Sequence, residues 1–196
     1  MYDRFLNKFT LTDNSETKHA VLETELEKLN IPENKLEQFR SFLVEFSGKT
    51  FDNGLYRIYK NCDLFRATTR LFGIFPGVNG KAIVFASSWI GEQFAIRIND
   101  GSVVMLRPET GEAFDVADSI IEFHNRCLVD KTDSALESEL FISWLKSNGS
   151  TPIPYESCVG LVIPLSLGGV SNDLTNMEIC DSDVYIETCS QINGVT

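Results

Sequence analysis

The sequence predicts an α+β protein: an antiparallel β-meander of about four to six strands packed with several α-helices. The first observation behind this is the stretch 81–119, where three apolar runs, 82–86, 94–98 and 103–106, stand close together. Asn99-Asp100-Gly101 separates the second from the third. Asp-Gly between such runs is a strong hairpin signal, because glycine accepts the positive φ of tight hairpin turns. A second turn, Pro108-Glu109-Thr110-Gly111, leads into residues 113–116 and completes about four antiparallel strands. The second observation is apolar residues at helical spacing on both sides of this stretch. The third is that helices and strands mix without strict βαβ order, which points away from a doubly wound fold.

Taken in order, Tyr2, Phe5, Leu6 and Phe9 have helical spacing and predict a short opening helix. Residues 10–19 are polar and read as a loop. Residues 20–29 can be helical, with a break at Ile31-Pro32. Leu36, Phe39, Phe42, Leu43 and Phe46 form the stripe of an amphipathic helix, with Gly48 placed to end it. Residues 51–59 read as a turn at Asn53-Gly54 and a strand. Asn61 is placed to cap a helix through about residue 71, and 73–80 is a connector. After the meander, Asp118 or Ser119 can cap a helix over 120–128. Asp133 or Ser134 can cap another over 135–147, with Ser134 and Glu137 at capping-box spacing. Residues 150–157 form a loop and 158–165 a strand ending near Pro164. Gly168-Gly169 is a tight bend. A short strand over 176–180 precedes a last helix over 184–192.

A chain of 196 residues with 43% hydrophobic and 23% charged residues fits one ordinary domain, or one with a small N-terminal companion. Its net charge of -11 is unevenly spread. Residues 1–60 are near neutral and 61–107 slightly basic, whereas 108–196 hold fifteen acids and three bases. Such a surface repels phosphate backbones and disfavours direct nucleic-acid binding. It suits a basic protein partner, or serves solubility. Five scattered cysteines without a CxxC spacing read as small buried residues in a reducing cytoplasm. The opening residues lack a signal-peptide core, and no apolar run approaches the ~20 residues of a membrane span. The expected location is therefore cytoplasmic, with no membrane contact.

No catalytic, cofactor or metal site is expected. His19 lies in a polar stretch, and His124 is read as an ordinary surface histidine on a helix; a Cys127/His124 nucleophile pair would need a spatial contact that spacing does not give. No HExxH and no zinc spacing occurs. The loop 166–172 is glycine-containing but lacks the P-loop and GxGxxG patterns, so a structural bend is weighed against a ligand loop. Glu178, Asp181 and Asp183 read as a helix cap and solvated face rather than a cation site. Trp89 is read as an exposed interaction anchor or as a core cap. Trp144 is placed in the core.

Residues 39–59, FRSFLVEFSGKTFDNGLYRIY, resemble the end of a GAD-like domain. Residues 84–96 (VFASSWIGEQFAI), Thr110-Gly111-Glu112, the tail run 158–169, Asn176-Met177-Glu178, Asp183 to Tyr185 and Gln191 follow in an order that resembles the C-terminal domain of type VI secretion immunity proteins that neutralise a DNase effector. The order is also loosely similar to the SUKH immunity group. The resemblance covers roughly residues 36–192. It implies residues 1–60 as a GAD-like helical segment and 61–196 as an immunity-type α+β domain, or one continuous globule. It further implies an immunity protein that binds and neutralises a cognate, basic secreted toxin such as a nuclease, and is not an enzyme. By charge and expected exposure the partner-binding candidates are Asp115, Asp118, Glu122, Glu178, Asp181 and Asp183, with Trp89 as the anchor. Two alternatives stand beside this: a small-molecule-binding or enzymatic domain using the Ser166–Asn172 loop, and a regulatory interaction module.

Overall fold

The computed structural model describes residues 1–14, 20–31 and 36–193. The fold is α+β, as expected, and the meander is longer than the sequence pattern implies. Seven antiparallel strands lie side by side in chain order: β1 (Leu11–Asn14), β2 (Lys49–Phe51), β3 (Tyr56–Ile58), β4 (Ala82–Ser88), β5 (Gln93–Arg97), β6 (Val103–Arg107) and β7 (Glu112–Ala117). Strands β4 to β7 are those announced by the apolar runs and the two turns. β1 falls in a stretch expected to be a loop: its four side chains are all exposed, so no alternation marks it, and it forms by pairing with the edge of β2. Residues 15–19 of that stretch, with His19, lie outside the described residues, as does Pro32. Because β3 pairs with β4, the sheet runs through residue 60, and one buried cluster extends from Tyr2 to Cys189.

Helices α1 (Asp3–Lys8), α2 (Ala20–Lys28) and α3 (Glu37–Phe46) precede β2. On α3, Phe39, Phe42, Leu43 and Phe46 are buried, and Phe39 and Phe42 meet Phe85 of β4 edge to face at 5.7 and 5.9 Å. Gly48, with φ 76°, follows the last turn of α3 in the left-handed conformation. Asn61 does not cap the next helix. Its side chain makes no cap bond; it opens a 3-10 turn, and α4 (Leu64–Thr69) begins three residues later.

Ser119 does cap α5 (Ile120–Glu122), accepting a hydrogen bond from the Glu122 N–H at 3.2 Å. The helix continues through a π-helical segment, Phe123–Cys127, into α6 (Leu128–Asp130). The helix expected over 135–147 is divided into α7 (Thr132–Leu136) and α8 (Ser138–Ser147), because Glu137 is left-handed at φ 48°. The capping-box spacing is not used. Instead the Asp133 carboxylate accepts from the Glu139 N–H at 2.9 Å.

A separate two-stranded sheet, β8 (Ser157–Leu161) and β9 (Met177–Asp181), with α9 (Ser182–Ile192), forms an arm against the meander. The arm is fastened at Arg57, which is fully buried on β3. Its guanidinium donates to the carbonyls of Gly54, Pro154, Tyr155 and Ser157. The Val159 N–H also donates to Trp89 O at 2.7 Å. β8 is shorter than expected: the chain leaves the ladder after Leu161, and Leu165–Leu167 is a 3-10 turn.

Candidate functional site

Three regions of the surface carry the functional argument. The first is the tip of the arm. Beyond Leu161 the apolar run Val162, Ile163, Leu167, Val170 has no strand to join, and all four side chains are exposed, Leu167 at 71%. The loop that bears them is closed by one residue. The Asn176 side chain accepts from the Ile163 N–H at 2.7 Å and donates to Ile163 O at 3.0 Å, and the Val162 N–H donates to Asn176 O at 2.9 Å. Gly169 makes this closure possible, since a Cβ there would lie 1.7 Å from Ile163 O. Ile179 and Val184 of the same arm are exposed as well, and Asp173, Glu178 and Asp181 add carboxylates. An exposed apolar patch with a polar rim is the usual mark of an interaction surface.

The second region is a groove beside the edge strand β7. Asp115, Asp118 and Glu122 line it together with Asp100, Ser102 and Arg97. Arg97 is ion-paired with Asp115, and Glu122 accepts from Arg126 at 2.9 Å and from the Asp118 N–H at 3.1 Å. Asp100 accepts from the Ser102 N–H and hydroxyl at 2.9 and 2.7 Å, and these bonds hold its carboxyl below the usual range. Four carboxylates facing two guanidiniums leave the groove acidic.

The third region is a cavity of about 160 Å³ between the arm and the meander. Its apolar wall is Ile90, Val159, Leu161, Leu165 and Met177, and its polar groups are Glu92, Arg107, Glu109, Glu137 and Tyr185. Arg107 Nε donates to Glu92 Oε1 at 2.7 Å, and the Tyr185 hydroxyl donates to Glu109 Oε2 at 3.2 Å. Burial pushes the carboxyls of Glu92 and Glu137 up, Arg107 opposing the shift in both. Leu165 and Ser171, at the two ends of the 166–172 loop, reach the cavity wall.

The sequence-derived candidates are thus divided. Asp115, Asp118 and Glu122 come together in one groove. Glu178 and Asp181 lie exposed on the arm, where Asp181 also caps α9, accepting from the Asp183 and Val184 N–H groups at 2.9 and 3.0 Å. Asp183 is half-buried and ion-paired with Arg66 and Arg70, so its charge is neutralised within the fold.

Trp89 is not an exposed anchor. It is 0% exposed, its indole N–H donates to Leu136 O at 2.8 Å, and its ring packs on Phe141 and Trp144. The bulk that suits an interface anchor here fills the space between the β4–β5 turn and α8. Trp144 is in the core, as expected.

His124 is not a surface residue either. It is wholly buried among Tyr2, Phe5, Phe42, Tyr56, Phe85 and Phe123. Nδ1 lies 2.8 Å from Ile120 O and Nε2 lies 3.0 Å from the Tyr56 hydroxyl. A carbonyl only accepts, so Nδ1 carries the proton and Nε2 accepts from tyrosine. Desolvation drives its pKa down to about 3, and the ring is neutral.

The exposed apolar tip and Arg57 were not identified from sequence. The signal for the tip is Pro164 and Gly168-Gly169 interrupting an apolar run, which marks residues that cannot continue a strand. Among the described residues no cluster of three or more His, Cys, Asp or Glu side chains is arranged to hold a metal ion, and no helix is long and apolar enough to cross a membrane.

No family model and no curated protein matches the sequence. Among solved structures, the crystal structure of Atu4351 from Agrobacterium tumefaciens superposes with a TM-score of 0.70, covering 97% of this chain and 89% of that chain at 17% identity. The chain shares the α+β fold of that protein over nearly its whole length.

Proposed function

We propose that this chain is an immunity protein that binds a cognate secreted toxin, a basic protein such as a nuclease, and neutralises it by contact in the cytoplasm. The observation that carries this reading is the arm tip. Val162, Ile163, Leu167 and Val170 are held in solvent by a loop whose own hydrogen bonds fix its shape, beside the carboxylates of β9. A surface of this kind contributes desolvated apolar area at its centre and charge at its rim. The acidic groove at Asp115, Asp118 and Glu122 adds a second negative face, which steers a basic partner and speeds its approach more than it sets affinity. The resemblance of residues 36–192 to immunity proteins of DNase effectors supports the same reading.

The test is titration calorimetry and stopped-flow mixing with the cognate toxin, sought among the products of neighbouring genes, at low and at high salt. Binding at both, with slower association at high salt, is the expected result. Absence of heat and of pull-down under both conditions refutes the proposal.

A second reading rests on the cavity. Three carboxylates and one guanidinium above an apolar wall suit a small organic cation with an alkyl stem. A thermal-shift series with agmatine, spermidine and lysine methyl ester tests it, and no stabilisation by any of them removes it.

A further inference from the structure

We propose that Cys158 and Cys180 form a reversible dithiol–disulfide modification site in the arm, closed by a hydroperoxide oxidant. The two residues face each other across the β8–β9 ladder as direct Cα partners, and their sulfurs are 3.8 Å apart. Residues directly opposed in an antiparallel pair have Cα atoms ~4.5–5.5 Å apart, inside the ~4.4–6.8 Å window that a disulfide spans. Side-chain rotation and a small approach of the strands must bring the sulfurs about 1.8 Å closer to reach the bonded ~2.05 Å. No chain rearrangement is required.

The pair is also asymmetric. Cys158 is buried, at 1% exposure, whereas Cys180 is half-buried and open to a small solute. Either sulfur can donate to the other, and the Cys180 thiol also lies 3.7 Å from Cys158 O, to which it can donate. The contact between the sulfurs holds Cys180 below the usual thiol range, while the same contact and burial push Cys158 well above it. Its greater exposure, with the direction of the two shifts beside it, makes Cys180 the sulfur that meets the oxidant and Cys158 the resolving thiol.

The chemistry balances as two steps. The Cys180 thiolate attacks one peroxide oxygen and the O–O bond breaks; hydroxide leaves and takes a proton from solvent, giving Cys180 sulfenic acid and one water. Cys158 then loses its proton and attacks the Cys180 sulfur. The S–O bond breaks, and the departing hydroxide takes up that proton as the second water. Two thiols are oxidised to one disulfide and one peroxide is reduced to two waters. A dithiol reductant reverses the bond by exchange. The bridge joins residues 22 positions apart and encloses the tip loop in a covalent ring, so the oxidised arm resists opening.

The site is independent of any toxin and is tested on the full chain alone. Protein treated with hydrogen peroxide is unfolded, its thiols are titrated, and its peptides are mapped. The expected result is a fall from five free thiols to three, a peptide linking Cys158 to Cys180, and a rise in Tm that dithiothreitol reverses. Cys158→Ser is expected to leave a sulfenic acid at Cys180 that dimedone traps, and Cys180→Ser to prevent both products. A variant with Cys62, Cys127 and Cys189 changed to Ala keeps only the pair and should still close. Five thiols remaining, or loss confined to an intermolecular bond through exposed Cys62, overturns the proposal.

Discussion

Residues 82–88, Ala-Ile-Val-Phe-Ala-Ser-Ser, and residues 161–170, Leu-Val-Ile-Pro-Leu-Ser-Leu-Gly-Gly-Val, are both apolar-rich. Every residue of the first is buried, and none of the second is. The difference lies in what covers them. β4 has β3 and β5 on its two edges and side chains of α3 against Phe85. The second run leaves its ladder at Leu161 and is held by its own backbone and Asn176; Leu161 and Leu165 reach the cavity against the meander, whereas Val162, Ile163, Leu167 and Val170 stay in solvent. Apolar content therefore marks a core only where the topology supplies a second surface. Where it does not, the same content marks a place for another molecule.

The comparison can be pressed hardest through pH. In the unfolded chain the His124 ring takes up a proton near its ordinary 6.5, whereas the folded core holds it neutral down to about 3. The unfolded state thus binds the extra proton within this window. The stability contributed by the neutral ring is complete above about pH 6.5 and is lost as pH falls toward 3, by about 5 kcal/mol at most. Urea denaturation across this range should show a steeper loss for the wild type than for His124→Gln. Equal slopes would mean that the meander core is not closed around the ring.

Trp89→Ala removes the largest side chain between meander and helices and leaves Leu136 O without its donor. A loss of about 3–5 kcal/mol is expected, read from the urea midpoint. A loss under about 1 kcal/mol would place Trp89 outside the core.

At the arm the expectation reverses. Leu167→Ser with Val170→Ser should change stability by no more than about 0.5 kcal/mol. Toxin affinity should nonetheless fall at least about tenfold, read by calorimetry. Unchanged affinity would shift the contact surface to the Asp115, Asp118 and Glu122 groove, which charge reversal at those three positions then probes.

The legible and illegible parts of the molecule follow from the same contrast. β4 to β7 were readable because Asp100-Gly101 and Thr110-Gly111 mark turns between runs with strong strand preference. β1 was not, because exposed Leu11, Thr12, Asp13 and Asn14 have no face to advertise. The helix break at Glu137 was hidden, since a left-handed glutamate leaves no local signature. Burial of His124 was within reach: it lies at i+4 from Ile120 and i−4 from Leu128, on the stripe that packs inward. The acidic groove was found in part. Charge alone named Asp115, Asp118 and Glu122 but missed Asp100, which the β5–β6 turn brings to them. Charge also named Asp183, whose partners Arg66 and Arg70 are more than a hundred residues away in sequence.

The chain-order arrangement of the sheet bears on how the molecule assembles. Each of β2 to β7 is laid down beside its predecessor, so most pairings close short loops and the meander can zip from any hairpin outward. β8 and β9 have no strand of the sheet to extend, and their fastening through Arg57 and Trp89 O needs β3 and the β4–β5 turn already in position. The arm is therefore expected to dock after the meander and to exchange its amide protons sooner than β4 to β6, which native-state hydrogen exchange checks.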